Sequence, residues 1–231
     1  MMFDPIYFLF VGPGMILAIF ATIKVRFTFD KYSKVASELG ATGAMAARRL
    51  LDQQGLRDVA VERIDGVLSD HYDPTTRTLR LSPNVYGSNS LSAIGVACHE
   101  AGHALQHATG YAWLGMRTAL VPATQFGSFG SYIFILIGMF FHSQSMILAG
   151  ALLFAVVVAF SLVTLPVEWD ASARARRLMV SAGIVSYSEQ EDAGRVLNAA
   201  FLTYVASAVT SLLTLLYYLY RAGLLGGRRD D

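Results

Sequence analysis

The sequence predicts a mainly α integral membrane protein, with about four transmembrane helices and a small α+β polar portion containing a short antiparallel sheet. Three observations carry this expectation. Of 231 residues only 15% are charged and 54% are hydrophobic, whereas an ordinary soluble domain carries about 25% charge. The charges are also unevenly spread, with none in residues 5–23, 118–167 or 196–220. All 35 charged residues therefore fall in the remaining 137, which are about 26% charged, the soluble norm.

A spanning helix needs about 20 mainly apolar residues, so the first and third stretches suit one span each and the middle one has room for two. The middle stretch divides at His142-Ser143-Gln144-Ser145, a polar turn. This gives spans at about 5–23, 118–141, 146–165 and 197–220. Pro122, Gln125, Gly127, Ser128, Gly130 and Ser131 dilute the start of the second span, which suits an interfacial or protein-facing segment. The first span reads as a retained anchor, because no basic region precedes it and no small-residue cleavage site follows Ile23. Lys24, Arg26, Lys31, Lys34, Arg117, Arg174, Arg176, Arg177 and Arg195 share one side of a four-span topology, and the positive-inside rule makes that side cytoplasmic. Arg221, Arg228 and Arg229 fall on the other. Tyr217, Tyr218 and Tyr220 read as an interfacial aromatic belt. A net charge of +1 gives no reason to expect nucleic acid as a partner, and a single cysteine, Cys98, excludes an intramolecular disulfide or a thiolate cluster.

Two polar segments, 24–117 and 166–196, remain. Thr42 caps a helix over 44–54 that Gly55 stops, with Met45, Leu50 and Leu51 as its buried stripe. Residues 59–64 alternate as a strand does. Residues 67–72 and 77–82 flank the turn Asp73-Pro74-Thr75-Thr76, and Arg77 to Leu81 is expected at a sheet edge, where an extended peptide could add. From Ser90, a plausible N-cap, the period becomes helical, with Leu91, Ile94, Ala97, Cys98 and Ala101 on the apolar side and Gly110 past the end. After Pro166 a helix over 167–180 continues or restarts. No repeat, low-complexity tract or phosphate-binding glycine loop is present.

The helix from Ser90 carries His99-Glu100-Ala101-Gly102-His103. A spacing of four stacks two imidazoles on one helix face where both can ligate one zinc, and Glu100 lies beside them as a base toward water held there. The structural alternative is a pair of hydrogen-bonded core histidines. Catalytic zinc needs a third protein ligand and an open position. The histidine of the long metzincin form would stand at position 109, which is threonine, and no carboxylate lies in any span. Glu168, Asp170, Glu189, Glu191 and Asp192 remain, and Glu168 is favoured because it opens a helix at the membrane surface. Asp170 points about 200° away from it on a helix, which suits a group that orients a ligand from behind or a structural ion pair. An oxyanion donor is also needed, and His71 or Tyr72 could supply it if the Asp70 to Asp73 segment does more than stabilise the hairpin. His107 reads as a satisfied surface histidine, Cys98 as a small buried residue, and the arginines at 174, 176 and 177 as a consequence of topology.

These residues resemble the YugP-type neutral zinc metallopeptidases, small bacterial membrane proteins. The likeness runs through Lys31-Tyr32-Ser33-Lys34, Thr42-Gly43-Ala44 with Ala47-Arg48-Arg49-Leu50-Leu51, Asp70-His71-Tyr72-Asp73-Pro74 with Leu79-Arg80-Leu81-Ser82, the helix His99 to His107, Ala119-Leu120-Val121-Pro122, and Leu165 to Ser172. More distantly the layout is similar to the HtpX and CAAX prenyl protease group of gluzincins, whose second motif, Glu-x-x-x-Asp, provides the third ligand. That resemblance implies Glu168 as the ligand. The chain departs at the fifth place, where Ser172 stands instead of aspartate, and Asp170 is the substitute carboxylate to consider.

The combined expectation is a single membrane metallopeptidase domain with one zinc on His99, His103 and Glu168. Glu100 serves as general base, His71 or Tyr72 as transition-state stabiliser, and Asp170 or Ser172 as orienting groups. Its partners are the lipid bilayer and a peptide or membrane-protein substrate. The resemblance implies a bacterial inner or plasma membrane, and the positive-inside count places the site on the cytoplasmic side. The competing reading is a non-catalytic, zinc-containing membrane adaptor or chaperone. A transporter is disfavoured because the spans lack Asp, Glu, Lys and Arg.

Overall fold

The structure, a computed structural model, describes residues 4–225; Arg228 and Arg229 of the topology count lie outside the described residues. Among the described residues, seven helices and three strands follow in the order α1 (Pro5–Ser33), α2 (Gly43–Gln53), β1 (Ala60–Arg63), β2 (His71–Asp73), β3 (Thr78–Leu81), α3 (Pro83–Tyr86), α4 (Leu91–Ala108), α5 (Ala112–Phe140), α6 (Gln144–Ser181) and α7 (Tyr187–Arg221). Four of these, α1, α5, α6 and α7, are long and apolar enough to cross a membrane, the number expected from the charge-free stretches. They are longer than those stretches at one or both ends. Pro166 lies inside α6, so this helix continues past the proline.

The chain forms two compact units. The first contains Met1–Ala21, Met116–Leu165 and Thr203–Asp231. Leu9, Ile16, Phe126 and Phe129 are exposed on it, an apolar surface of the kind lipid covers. Its helices meet through small residues, as spans do where packing replaces the hydrophobic drive. A Cβ on Gly150 would stand 3.1 Å from the Ser131 carbonyl, and Ser161 and Ser211 hydroxyls share a 2.9 Å hydrogen bond. The small residues diluting the second span thus include the ones that let α6 approach α5. Tyr217 is buried in this unit and donates to Asp4 Oδ2 at 2.7 Å. It is therefore not part of an exposed aromatic belt: a phenol taken out of solvent needs a partner, and Asp4 provides it.

The second unit contains Thr22–Gly115 and Pro166–Leu202. Its core gathers Leu50 and Leu51 of α2, Leu79 and Leu81 of β3, Leu91 and Ile94 of α4, and Met179 and Ile184. The caps are as expected: Thr42 Oγ1 accepts from the Met45 N–H and Ser90 Oγ from the Ala93 N–H, each satisfying an orphan donor of the first turn. Gly55 and Gly110 follow their helices with positive φ, the left-handed stop that glycine adopts without strain. Met45 is 59% exposed and does not belong to the buried stripe; Ala46 and Ala47 accompany Leu50 and Leu51 there instead.

The sheet is mixed, with order β1-β3-β2. β3 pairs antiparallel with β2, His71 opposite Arg80 and Tyr72 opposite Leu79, as the turn requires, but parallel with β1, Ala60 opposite Thr78. The expected edge strand, Arg77 to Leu81, is therefore central, and its backbone is not available to an added peptide. The physical reason is burial. Thr78, Leu79 and Leu81 are buried, while β1 is mostly exposed, so the most apolar strand takes the covered position. The Asp73 carboxylate accepts from the Thr75 N–H, the Thr76 hydroxyl and Arg80. These bonds hold its pKa well below the usual carboxylate range and fix the turn after β2.

Candidate metal centre

Four residues along an α-helix advance about 6 Å and about 40° around the axis, so His99 and His103 share one face of α4. Their ring centroids are 4.8 Å apart and nearly perpendicular. The opposite side of the helix is sealed by Ile94, Ala97, Cys98 and Ala101. Burial pushes the Cys98 thiol up to about 12, consistent with an inert packing residue.

Helix α6 meets this face. Gly102 makes the approach feasible, since a Cβ there would lie 2.6 Å from the Ala171 carbonyl oxygen. One turn before Ala171, the Glu168 side chain enters the interface. It is 1% exposed, and its Oε2 lies 3.1 Å from His99 Nε2 and 3.6 Å from His103 Nε2. The three ligand atoms lie within 4.8 Å of one another. Bond lengths of 2.0–2.2 Å put neighbouring ligand atoms on a tetrahedral zinc roughly 3.3 Å apart, so the donor set fits one such ion.

The electrostatics agree. Burial alone would drive His103 toward its neutral form, but the hydrogen bond to Glu168 and the charges of Glu100 and Glu168 outweigh it and hold its pKa above the usual imidazole value. A carboxylate buried against two imidazoles thus favours positive charge beside it, which a divalent cation would supply without a proton.

The other predicted residues are placed plainly. Glu100, next to His99 on α4, is partly exposed. Ser172 Oγ lies 3.1 Å from His99 Nδ1, so the hydroxyl occupies the orienting place expected for a carboxylate. Asp170 touches neither imidazole; it accepts from Arg174 Nε at 2.6 Å and from Gln106 Nε2 at 2.9 Å. Gln106 was not among the sequence candidates. It is fully buried, with Oε1 2.9 Å from His103 Nδ1. Its position, three residues past His103 on the same helix face, is the signal that could have found it.

The remaining carboxylates are engaged elsewhere. Glu189 accepts from the Glu38 and Ser186 N–H groups, Glu191 pairs with Arg195, and Asp192 accepts from the Tyr32 hydroxyl. Of the two oxyanion candidates, His71 is exposed with its Nδ1 on the Ser69 carbonyl. Tyr72 lies on β2 with its hydroxyl 2.9 Å from His107 Nδ1, one turn beyond His103. Burial raises the Tyr72 pKa and keeps the hydroxyl protonated and able to donate. His107 is exposed yet partnered, as expected of a satisfied surface histidine.

Four helices long and apolar enough to cross a membrane, with a polar unit that brings two imidazoles and a carboxylate together, describe a membrane-type protein with a candidate metal site. The sequence profile of the family described as "Putative neutral zinc metallopeptidase" matches residues 7–223, and the chain belongs to that family. It is similar to the "Putative membrane protease YugP" of Bacillus subtilis (strain 168), with 48% identity over 215 residues, 93% of this chain and 95% of that protein. No solved structure matches it.

If Glu168 is the third ligand, Glu168→Ala should lose stoichiometric zinc, measured by metal analysis of the purified protein, while Glu189→Ala should retain it. Zinc retained by Glu168→Ala would return the assignment to the other carboxylates.

Proposed function

We propose that this chain is an integral-membrane zinc endopeptidase that hydrolyses peptide bonds in peptide or membrane-protein substrates. The observation carrying this reading is the convergence of His99 Nε2, His103 Nε2 and Glu168 Oε2, with Glu100 adjacent on α4. Those three side chains would hold one zinc ion, which would supply Lewis-acid polarisation of the scissile carbonyl and a lowered pKa of water. Glu100 takes the proton of the attacking water and returns it to the leaving amine, the two halves of general acid–base catalysis. Ser172 orients His99 through Nδ1. Tyr72, held by His107, donates to the oxyanion as the carbonyl becomes tetrahedral. The excess of Lys and Arg beside the polar segments supports a cytoplasmic placement of this chemistry in a bacterial cell membrane.

Glu100→Gln separates the peptidase from a zinc-containing adaptor, because it leaves the ligand set untouched. Assayed on peptides with protein purified in detergent, it should keep the zinc of the wild type and lose cleavage by about 10²-fold or more; cleavage at the wild-type rate would contradict the role. Tyr72→Phe should lower kcat by roughly 10²–10³-fold with zinc content unchanged, and an undiminished kcat would remove Tyr72 from the mechanism.

A further inference from the structure

The buried side chain of Gln106 has a surrounding that admits only one orientation of its amide. Its Nε2 lies 2.8 Å from the Val167 carbonyl oxygen and 2.9 Å from Asp170 Oδ2. Both partners only accept, because a backbone carbonyl has no hydrogen and the Asp170 carboxylate is paired with Arg174. A flipped amide would set its oxygen against two acceptor oxygens and leave at least one N–H without a partner on a side chain with no exposure to solvent, which desolvation strongly disfavours. The amide oxygen must therefore face His103, 2.9 Å from Nδ1.

A carbonyl oxygen accepts and never donates, so Nδ1 carries the hydrogen and a neutral His103 has its lone pair on Nε2. That is the atom 3.6 Å from Glu168 Oε2. His99 differs. Its Nδ1 meets the Ser172 hydroxyl, which either donates or accepts and so orients the ring without choosing a tautomer.

We propose that Gln106 is a positioning residue that fixes His103 in the Nδ1–H tautomer, presenting Nε2 to the metal, and that Val167 O and the Asp170–Arg174 pair hold its amide in the one orientation that does so. The inference rests on reading His99, His103 and Glu168 as a metal centre. It extends the ligand set to a chain of contacts, Arg174 to Asp170 to Gln106 to His103, joining α6 to α4 behind the site. Partners of this kind behind a ligand histidine typically alter metal affinity by about 10–100-fold.

The test uses the full-length chain in detergent micelles, with zinc affinity measured by competition against a chromophoric chelator. The tautomer of His103 is read from ¹⁵N shifts of histidine-labelled protein, which has five histidines to assign. Gln106→Leu should raise the zinc Kd roughly 10–100-fold and abolish the single Nδ1–H signature of His103. Asp170→Ala leaves the buried glutamine in place with one anchor fewer, and should give a smaller loss of affinity with a second tautomer appearing. Wild-type affinity in both variants, or a wild-type His103 with its hydrogen on Nε2, would overturn the proposal. Should the wild type bind no zinc, the metal-centre reading fails separately, and the tautomer of the metal-free chain at about pH 9, where imidazoles are normally neutral, still decides this one.

Discussion

Between Gly102 of α4 and the Ala171 carbonyl of α6 there is no room for a methyl group, since a Cβ on residue 102 would approach that oxygen to 2.6 Å. The candidate centre depends on this contact. With the two helices this close, Glu168 reaches both imidazoles, Ser172 reaches His99 Nδ1, and Gln106 reaches the Val167 carbonyl. All three reaches start within about one turn of the same point of contact, so moving the helices apart would lengthen them together. Hydrogen bonds between such groups normally span about 2.7–3.2 Å, so a displacement of an ångström would carry the set out of range.

Such an arrangement is costly to bury without compensation. A carboxylate removed from water needs opposite charge and hydrogen-bond donors around it, and Glu168 is 1% exposed. The adjacent imidazoles meet part of that need, and against burial the charges of Glu168 and Glu100 raise the pKa of His103. The same feature makes the position attractive to a divalent cation. Behind the imidazoles, the chain uses a neutral hydroxyl and a neutral amide in contact with the rings. The Asp170 carboxylate stands one residue removed from His103, bonded to Gln106.

Local features were legible in the sequence because local rules determine them. Thr42 and Ser90 are capping side chains placed just before a helical period, and the pairing of His99 with His103 follows from helix geometry alone. The charge-free stretches announced four apolar helices because excluding charge is a property of composition. What depends on long-range packing was less accessible. Glu168 is 69 residues from His99 and was reached by elimination and by family resemblance. Gln106 was missed because its meaning lies in the Val167 and Asp170 oxygens of another helix. Strand order failed for a similar reason, since the turn at Pro74 dictates the pairing of β2 with β3 but says nothing about β1 adding in parallel on the far side. The apolar character of Met45 and Tyr217 did not tell which face or partner each would find.

The most direct measurement of the central claim compares zinc affinity in Gly102→Ala and Gly115→Ala, using full-length protein of unchanged helicity by circular dichroism. A Cβ at position 115 meets nothing within 4 Å and serves as control. Separation of α4 from α6 by the added methyl should weaken zinc binding in Gly102→Ala by about 10-fold or more, the scale seen when the support behind a ligand is lost, with Gly115→Ala unchanged. Equal affinity in the two variants would contradict the view that this helix contact assembles the site.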